Sequence, residues 1–330
     1  MKVAVVYNSL EGCVMQHRGP KVHEIYPLHN VQRIVDALHS LSHEVVALEG
    51  DAELFNRLQD FFGEISDDVW PGLVFNLSFG MQGQMRYCQI PAMLDMLGLP
   101  YIGSGPWGHA LSSDKAAAKA LFRHAGLPTP DFVVMYHTDD PGPDLDYPLV
   151  VKPIAEASSY GVQLVRTVDE MRDAVRNNLT MFRQPVLVEQ FIPGRELNVS
   201  ILGNGLNAVA LPAVEVCLST EGIPIYTRED KEGIANRSFD LLCPADVPDD
   251  LNQKLQQFAL QAFTVLQCRD WARVEFRMDE SGNLYILEVN TLPGLGIISS
   301  LPAAAAQVGM KDLPALVERL VQVAMARYQD

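Results

Sequence analysis

The segment from Trp271 to Gly294 limits the fold more than any other stretch of the chain. Two runs, Trp271-Ala272-Arg273-Val274-Glu275-Phe276-Arg277 and Leu284-Tyr285-Ile286-Leu287-Glu288-Val289-Asn290, have strand character. Asp279-Glu280-Ser281-Gly282-Asn283 joins them as a hairpin turn. In an antiparallel pair Glu275 and Glu288 can fall on one face, and Asn290, two residues on, shares it with Glu288. Two carboxylates and an amide then occupy one small volume. These are the hard oxygen donors that Mg²⁺ favours, with Mn²⁺ as an alternative, the remaining positions going to phosphates and water. Arg273 precedes Glu275 by two residues, so it projects from the same face toward the metal and the phosphates.

A second cluster runs from Pro148 to Val162. Lys152 ends a buried, strand-like run, and Ala155-Glu156-Ala157-Ser158-Ser159-Tyr160-Gly161 follows as a loop of small and hydroxyl residues. Successive N–H groups in such a turn form an anion nest, and the lysine adds a point charge. An ordinary polar hairpin fits the same residues. No Walker A motif occurs anywhere. A third cluster is Glu189-Gln190-Phe191-Ile192, a strand whose edge can read an adenine, with Glu196 seven residues past Glu189 to accept from ribose hydroxyls. Lys115 opens a helix after Ser112-Ser113-Asp114, a strong N-cap sequence.

Around these clusters the first third alternates strand and helix signals. Strands are expected at Val3–Tyr7, His43–Leu48 and Leu73–Phe75, and helices at His29–Ser40 and Ala52–Phe62. This is a βαβαβ pattern, a doubly wound α/β domain that ends near Tyr101–Pro106 in a strand broken by turn residues. Further strands are expected at Phe132–Tyr136, Leu149–Lys152, Val162–Val165 and Val186–Gln190, with a helix at Val168–Asn178. Beyond these, strands dominate and two helices, near Asp250–Leu266 and Leu313–Tyr328, close the chain. Three lobes are expected: 1–106, 107–184 and 185–330.

The formal net charge of −16 argues against duplex nucleic acid or an anionic membrane as partner. No apolar run is long enough to span a bilayer, and the N-terminus lacks the shape of a signal peptide. Five dispersed cysteines form no CxxC pair, so neither a disulfide framework nor a zinc site is expected. A reduced, cytoplasmic setting is the expectation.

Taken in order, the blocks YIGSGP, SSDKAAAKALFRHAGLPTP, VVKPIAEASSYGV, VLVEQFIPGRELNV, LLCPA and ARVEFRMDESGNLYILEVNTLPG resemble those of the D-alanine–D-alanine ligase family. That family belongs to the ATP-grasp superfamily, and the likeness runs from about Val74 to the C-terminus, more loosely before it. It implies an ATP-grasp fold, α+β in its ATP-binding lobes, and a homodimer. ATP and Mg²⁺ would join a carboxylic or amino acid to an amine through an acyl phosphate. By the same resemblance Lys115 and Lys152 contact the phosphates, Glu189, Gln190, Phe191 and Ile192 line the adenine site, and Glu196 holds the ribose. Ser158 and Ser159 lie on the loop over the phosphates, Ser158 also near the substrates. Lys231 belongs to a closing loop at Ile225–Arg237. Glu275, Glu288 and Asn290 hold the metal. Arg273 and the Gly294 N–H stabilise the oxyanion, and Glu24 receives the first substrate's amino group.

The chain departs from the family pattern in places. Glu275 stands where Asp is usual, Ala157 where glycine is usual and Glu232 where an aromatic is usual. Phe79 and Ile298 replace histidines, the second in Gly296-Ile297-Ile298-Ser299-Ser300, which resembles the segment that holds the acceptor's carboxylate. The nucleotide positions are kept while substrate positions change. The expectation is therefore a related ligase whose substrates need not be two D-alanines. The alternatives are a D-alanine–D-alanine ligase of peptidoglycan synthesis and a non-catalytic, regulatory ATP-binding protein.

Overall fold

The computed structural model describes residues 1–9, 24–63, 71–219, 225 and 238–329. Its first sheet has the order β2-β1-β3-β4, all neighbours parallel, from β1 (Lys2–Tyr7), β2 (Glu44–Glu49), β3 (Gly72–Asn76) and β4 (Tyr101–Ile102). Val3 to Val6 and all of β3 are buried, as a strand covered on both faces requires. Helices α1 (Leu28–Ser40) and α2 (Leu54–Phe62) cover opposite faces, since their buried residues join two different apolar clusters. A third helix, α3 (Gln89–Leu97), was not expected from the sequence.

Two more helices follow β4. α4 (Pro106–Ser113), not expected from the sequence, begins at the last of the expected turn residues, because Pro106 sits in its first turn with φ already set for a helix. Ser112 and Ser113 therefore end α4. Asp114 alone caps α5 (Lys115–His124), accepting from the N–H groups of Ala116 and Ala117 at 3.0 and 2.9 Å.

The central sheet has the order β5-β8-β6-β7 and is antiparallel. It comprises β5 (Phe132–Met135), β6 (Leu149–Pro153), β7 (Gln163–Val165) and β8 (Val186–Gln190), backed by α6 (Val168–Phe182), which runs a turn past its expected end. Strand β8, expected to open the third lobe, instead lies inside this sheet. Its residues Val186, Leu187 and Val188 are fully buried, and they gain that burial between β5 and β6.

The largest sheet has the order β12-β11-β9-β13-β14, with β10 (Val209–Ala210) paired to β9. Its strands are β9 (Arg195–Leu202), β11 (Val214–Leu218), β12 (Phe239–Leu242), β13 (Trp271–Met278) and β14 (Leu284–Asn290). Helix α7 (Asp249–Val265) packs on one face. A short α8 (Ser300–Gln307), missed in the sequence, and α9 (Leu313–Arg327) lie on the other side. There they share one apolar cluster with α1 and β1, so the first and last segments of the chain are built around a common core. Gly194 makes the link from β8 to β9 with φ +127, and a Cβ there would lie 2.1 Å from the Met278 carbonyl.

Candidate active site

Two cavities adjoin, the first between the central and large sheets and the second between the large sheet and the first lobe, and Lys115, Glu156, Ala157, Glu196, Glu275 and Glu288 border both. The hairpin builds their common wall. Glu275 pairs directly with Glu288 across β13 and β14, which puts their side chains on one face. The register then slips between Glu275 and Phe276, leaving Leu287 as the extra residue of a bulge. Asn290 donates to Glu275 at 2.8 Å and to Glu288 at 3.4 Å. Arg273 meets the same Glu275 oxygen at 2.5 Å. Both carboxylates are largely but not wholly shielded, and they supply hard oxygens beside the Asn290 amide, whose NH2 faces them here. This donor set fits a Mg²⁺ ion.

The first cavity is walled on its other side by β6 and β8. Lys152 is buried at the end of β6, 2.5 Å from Glu189. Burial disfavours its charge, but Glu189, Glu288 and Glu275 outweigh that, and the ammonium is held above its ordinary range. The residues expected around adenine, Glu189, Gln190, Phe191 and Ile192, all border this cavity together with Glu196. The Glu189 carboxylate pairs with Lys152 and Lys119. Its acidity is strengthened: burial pushes the group up, and the two ammoniums more than reverse this. Arg277, not singled out in the sequence, lies over the Phe191 ring at 5.3 Å. It donates to the Ile192 and Gly194 carbonyls at 3.0 Å each and stands 3.6 Å from Glu196. The alternation Arg273, Glu275, Arg277 along one strand was its available signal.

The loop after β6 turns through left-handed backbone at Ser158 (φ 55) and Ser159 (φ 60), while Ala157 needs no positive φ. Ser159 borders the first cavity and Ser158 the second. Lys115 is buried, donates to the Glu156 carbonyl, and lies 3.7 Å from Glu288. The Glu156 side chain is held from the first lobe. Arg86, itself buried, reaches Glu156 at 3.1 Å and Glu24 at 2.6 Å. Gln184 donates to Glu156 at 2.8 Å and Tyr87 to Glu24 at 2.7 Å. Burial lowers the Arg86 charge preference less than these carboxylates raise it, so its pKa lies above the ordinary range. Nothing in the stretch Met85-Arg86-Tyr87-Cys88 signals this role in sequence.

Glu24, Phe79, Arg273, Gly294, Ile298, Ser299 and Ser300 all border the second cavity. Phe79 packs on Tyr26 and Tyr87, with ring centroids 6.1 and 5.5 Å away. Ile297 and Ile298 keep 80% and 65% of their surface exposed, so they stand at the cavity wall and are not packed behind it. Ser299 precedes the first turn of α8, and Ser300 receives a hydrogen bond from Asn198 at 3.1 Å. Lys231 and Glu232 lie outside the described residues, as does the expected closing loop apart from Ile225. Among the described residues, Cys88, Cys217, Cys243 and Cys268 are free thiols and no helix is long and apolar enough to cross a membrane.

The architecture, with its parallel first sheet and a cleft between two antiparallel sheets, is the ATP-grasp fold. Crystal structures of a D-alanine–D-alanine ligase from Bacillus anthracis share it. One, complexed with ATP, superposes with a TM-score of 0.77 at 22% identity, covering 100% of this chain and 99% of that one. The family model for the D-alanine–D-alanine ligase C-terminus matches residues 121–322. The D-alanine–D-alanine ligase of Desulfotalea psychrophila is 35% identical over 77% of this chain and 78% of its own length. That of Desulforudis audaxviator is 34% identical over 91% and 94%. A protein of Sinorhizobium fredii described as uncharacterized protein y4sG is 38% identical over 99% and 98%. The chain therefore belongs to the D-alanine–D-alanine ligase family, ADP-forming enzymes that make carbon–nitrogen bonds.

Proposed function

We propose that this enzyme activates a substrate carboxylate with Mg-ATP as an acyl phosphate and transfers the acyl group to an amine, at least one substrate being bulkier or more apolar than alanine. The observation that carries this reading is the shared wall of the two cavities. Lys115, Glu275 and Glu288 border the nucleotide side and the substrate side alike, so a γ-phosphate held there adjoins the second cavity.

In the first step a substrate carboxylate oxygen attacks the γ-phosphorus, and ADP leaves. Lys115 and Lys152 would balance the charge of the phosphates, and the loop at Ser158 and Ser159 would cover them with N–H groups. Glu275, Glu288 and Asn290 would hold Mg²⁺, which when bound neutralises phosphate oxygens. In the second step the amine attacks the acyl carbon, a tetrahedral oxyanion forms, and inorganic phosphate leaves. Arg273 and the Gly294 N–H would receive that oxyanion. Glu196 would hold the ribose, Glu24 would face the first substrate's amino group, and Ser299 with the first turn of α8 would hold the acceptor's carboxylate. The protein acts as a dimer in the cytoplasm in this reading, as members of its family would.

The substrate preference follows from Phe79 and Ile298. An apolar wall gains about 25 cal/mol per Å² of substrate surface it covers, and it cannot pair with a polar group, whose burial unpaired costs about 1–3 kcal/mol. Exposed Ile297 and Ile298 offer such a wall. The test is a competition: Mg-ATP, D-alanine and larger amino and hydroxy acids at equal concentration, with products read by mass spectrometry. A mixed or larger amide product is expected. Formation of D-alanyl-D-alanine alone would overturn the proposed preference.

A further inference from the structure

Behind the first cavity lies a lysine that does not line it. Lys119 follows Lys115 by four residues, so α5 presents both from one face, one turn apart. Lys115 borders the cavities and Lys119 does not. Lys119 has no exposed surface at all. Its ammonium meets the Glu189 carboxylate at 2.8 Å and donates to the Thr129 hydroxyl at 2.7 Å, which in turn donates to the Ile286 carbonyl at 2.7 Å. The other Glu189 oxygen takes Lys152 at 2.5 Å. One buried anion from β8 thus stands between two cations brought by α5 and β6.

We infer that Lys119 is a positioning residue for phosphate binding: it cancels the charge of Glu189 and so leaves the Lys152 ammonium free to hold an anion. The inference rests on the reading that Lys152 faces the nucleotide's phosphates. Without Lys119, Lys152 and Glu189 sum to zero. A phosphate drawing Lys152 toward itself would then strip the last cation from a buried carboxylate, a costly state. With Lys119 present the three groups sum to one positive charge, and only Lys152 can present it to the cavity. Burial lowers the Lys119 pKa to about 8, against the pull of Glu189, so the ammonium persists at neutral pH.

Binding of ADP and of adenosine to the full-length protein, measured by titration calorimetry, tests this. Lys119→Met is expected to weaken ADP by about tenfold or more, a difference of about 1.4 kcal/mol, and to leave adenosine within about twofold. The double variant Lys119→Met/Glu189→Gln removes cation and anion together and is expected to regain about threefold or more in ADP affinity over Lys119→Met. Equal losses of ADP and adenosine in Lys119→Met would overturn the inference in favour of a packing role. Should Lys119→Met fail to fold, Lys119→Gln takes its place: weakened ADP with adenosine kept supports the inference, and equal losses or none overturn it. Lys152→Met tests the underlying reading separately, because parental ADP affinity there removes Lys152 from the phosphates whatever Lys119 does.

Discussion

Glu275 and Glu288 were legible as a pair because strand alternation and a five-residue turn fix which side chains face one another, and the register pairs them directly. Lys119 and Arg86 were not legible: each acts through a carboxylate distant in sequence, Glu189 or Glu24 and Glu156, and no local pattern links them. Two predictions belong to single side chains. Glu288→Gln keeps the volume and removes a charge from the expected metal site. Steady-state ADP release with saturating substrates should fall by about 10²-fold or more with the melting temperature little changed, as for loss of one electrostatic group at a reacting centre. Parental turnover at ordinary Mg²⁺ would remove Glu288 from the chemistry. Lys152→Met should weaken ATP more than Lys115→Met does. Lys152 is fixed at a strand end against Glu189, whereas Lys115 opens a helix and spends its ammonium partly on the Glu156 carbonyl. Isothermal titration of both variants gives the order directly, and the reverse order would contradict it.

Between elements, the contact that most ties the first lobe to the phosphate loop is Arg86 with Glu24 and Glu156. All three side chains are buried. Breaking a buried ion pair from one side leaves an uncompensated charge and costs about 3–5 kcal/mol. Arg86→Met is therefore expected to lower the urea midpoint strongly, since two carboxylates lose their partner at once. Adding Glu24→Gln and Glu156→Gln should recover much of that loss; a triple variant no more stable than Arg86→Met would mean that Arg86 stabilises by packing alone. The elements that the sequence hid have local causes too. α4 was masked by a Gly/Pro turn signature that in fact starts a helix at Pro106, and α8 is eight residues long with an Ala-rich, weakly patterned sequence. β8 read as a strand correctly, yet a strand's own residues do not say which sheet it joins.

Across the whole molecule, the alternation of strands and helices foretold the parallel first sheet, but it could not foretell that α9 returns to share a core with α1 and β1. Sequence distance hides such closure, and it matters for stability because one lobe cannot loosen without the other. Helix α4, packed against α5 and β14, buries His109 completely, with Nδ1 2.8 Å from the Thr291 hydroxyl. Burial lowers the imidazole's pKa from 6.5 to about 3. Between those values the unfolded chain binds one proton that the native chain refuses, so stability falls as pH drops, by at most about 1.4 kcal/mol per pH unit. Glu189, whose folded pKa lies below its ordinary 4.5 because two ammoniums outweigh the desolvation that opposes them, contributes in the same direction only at lower pH. The window from pH 6.5 to 4.5 therefore separates the two groups. Thermal unfolding of the parent and of His109→Gln is expected to show a steeper loss for the parent than for the variant across this window, and the two curves run closer to parallel only below about pH 3. Identical slopes from pH 6.5 to 4.5 would mean that the native protein accepts the proton on His109 and that α4 opens to admit it.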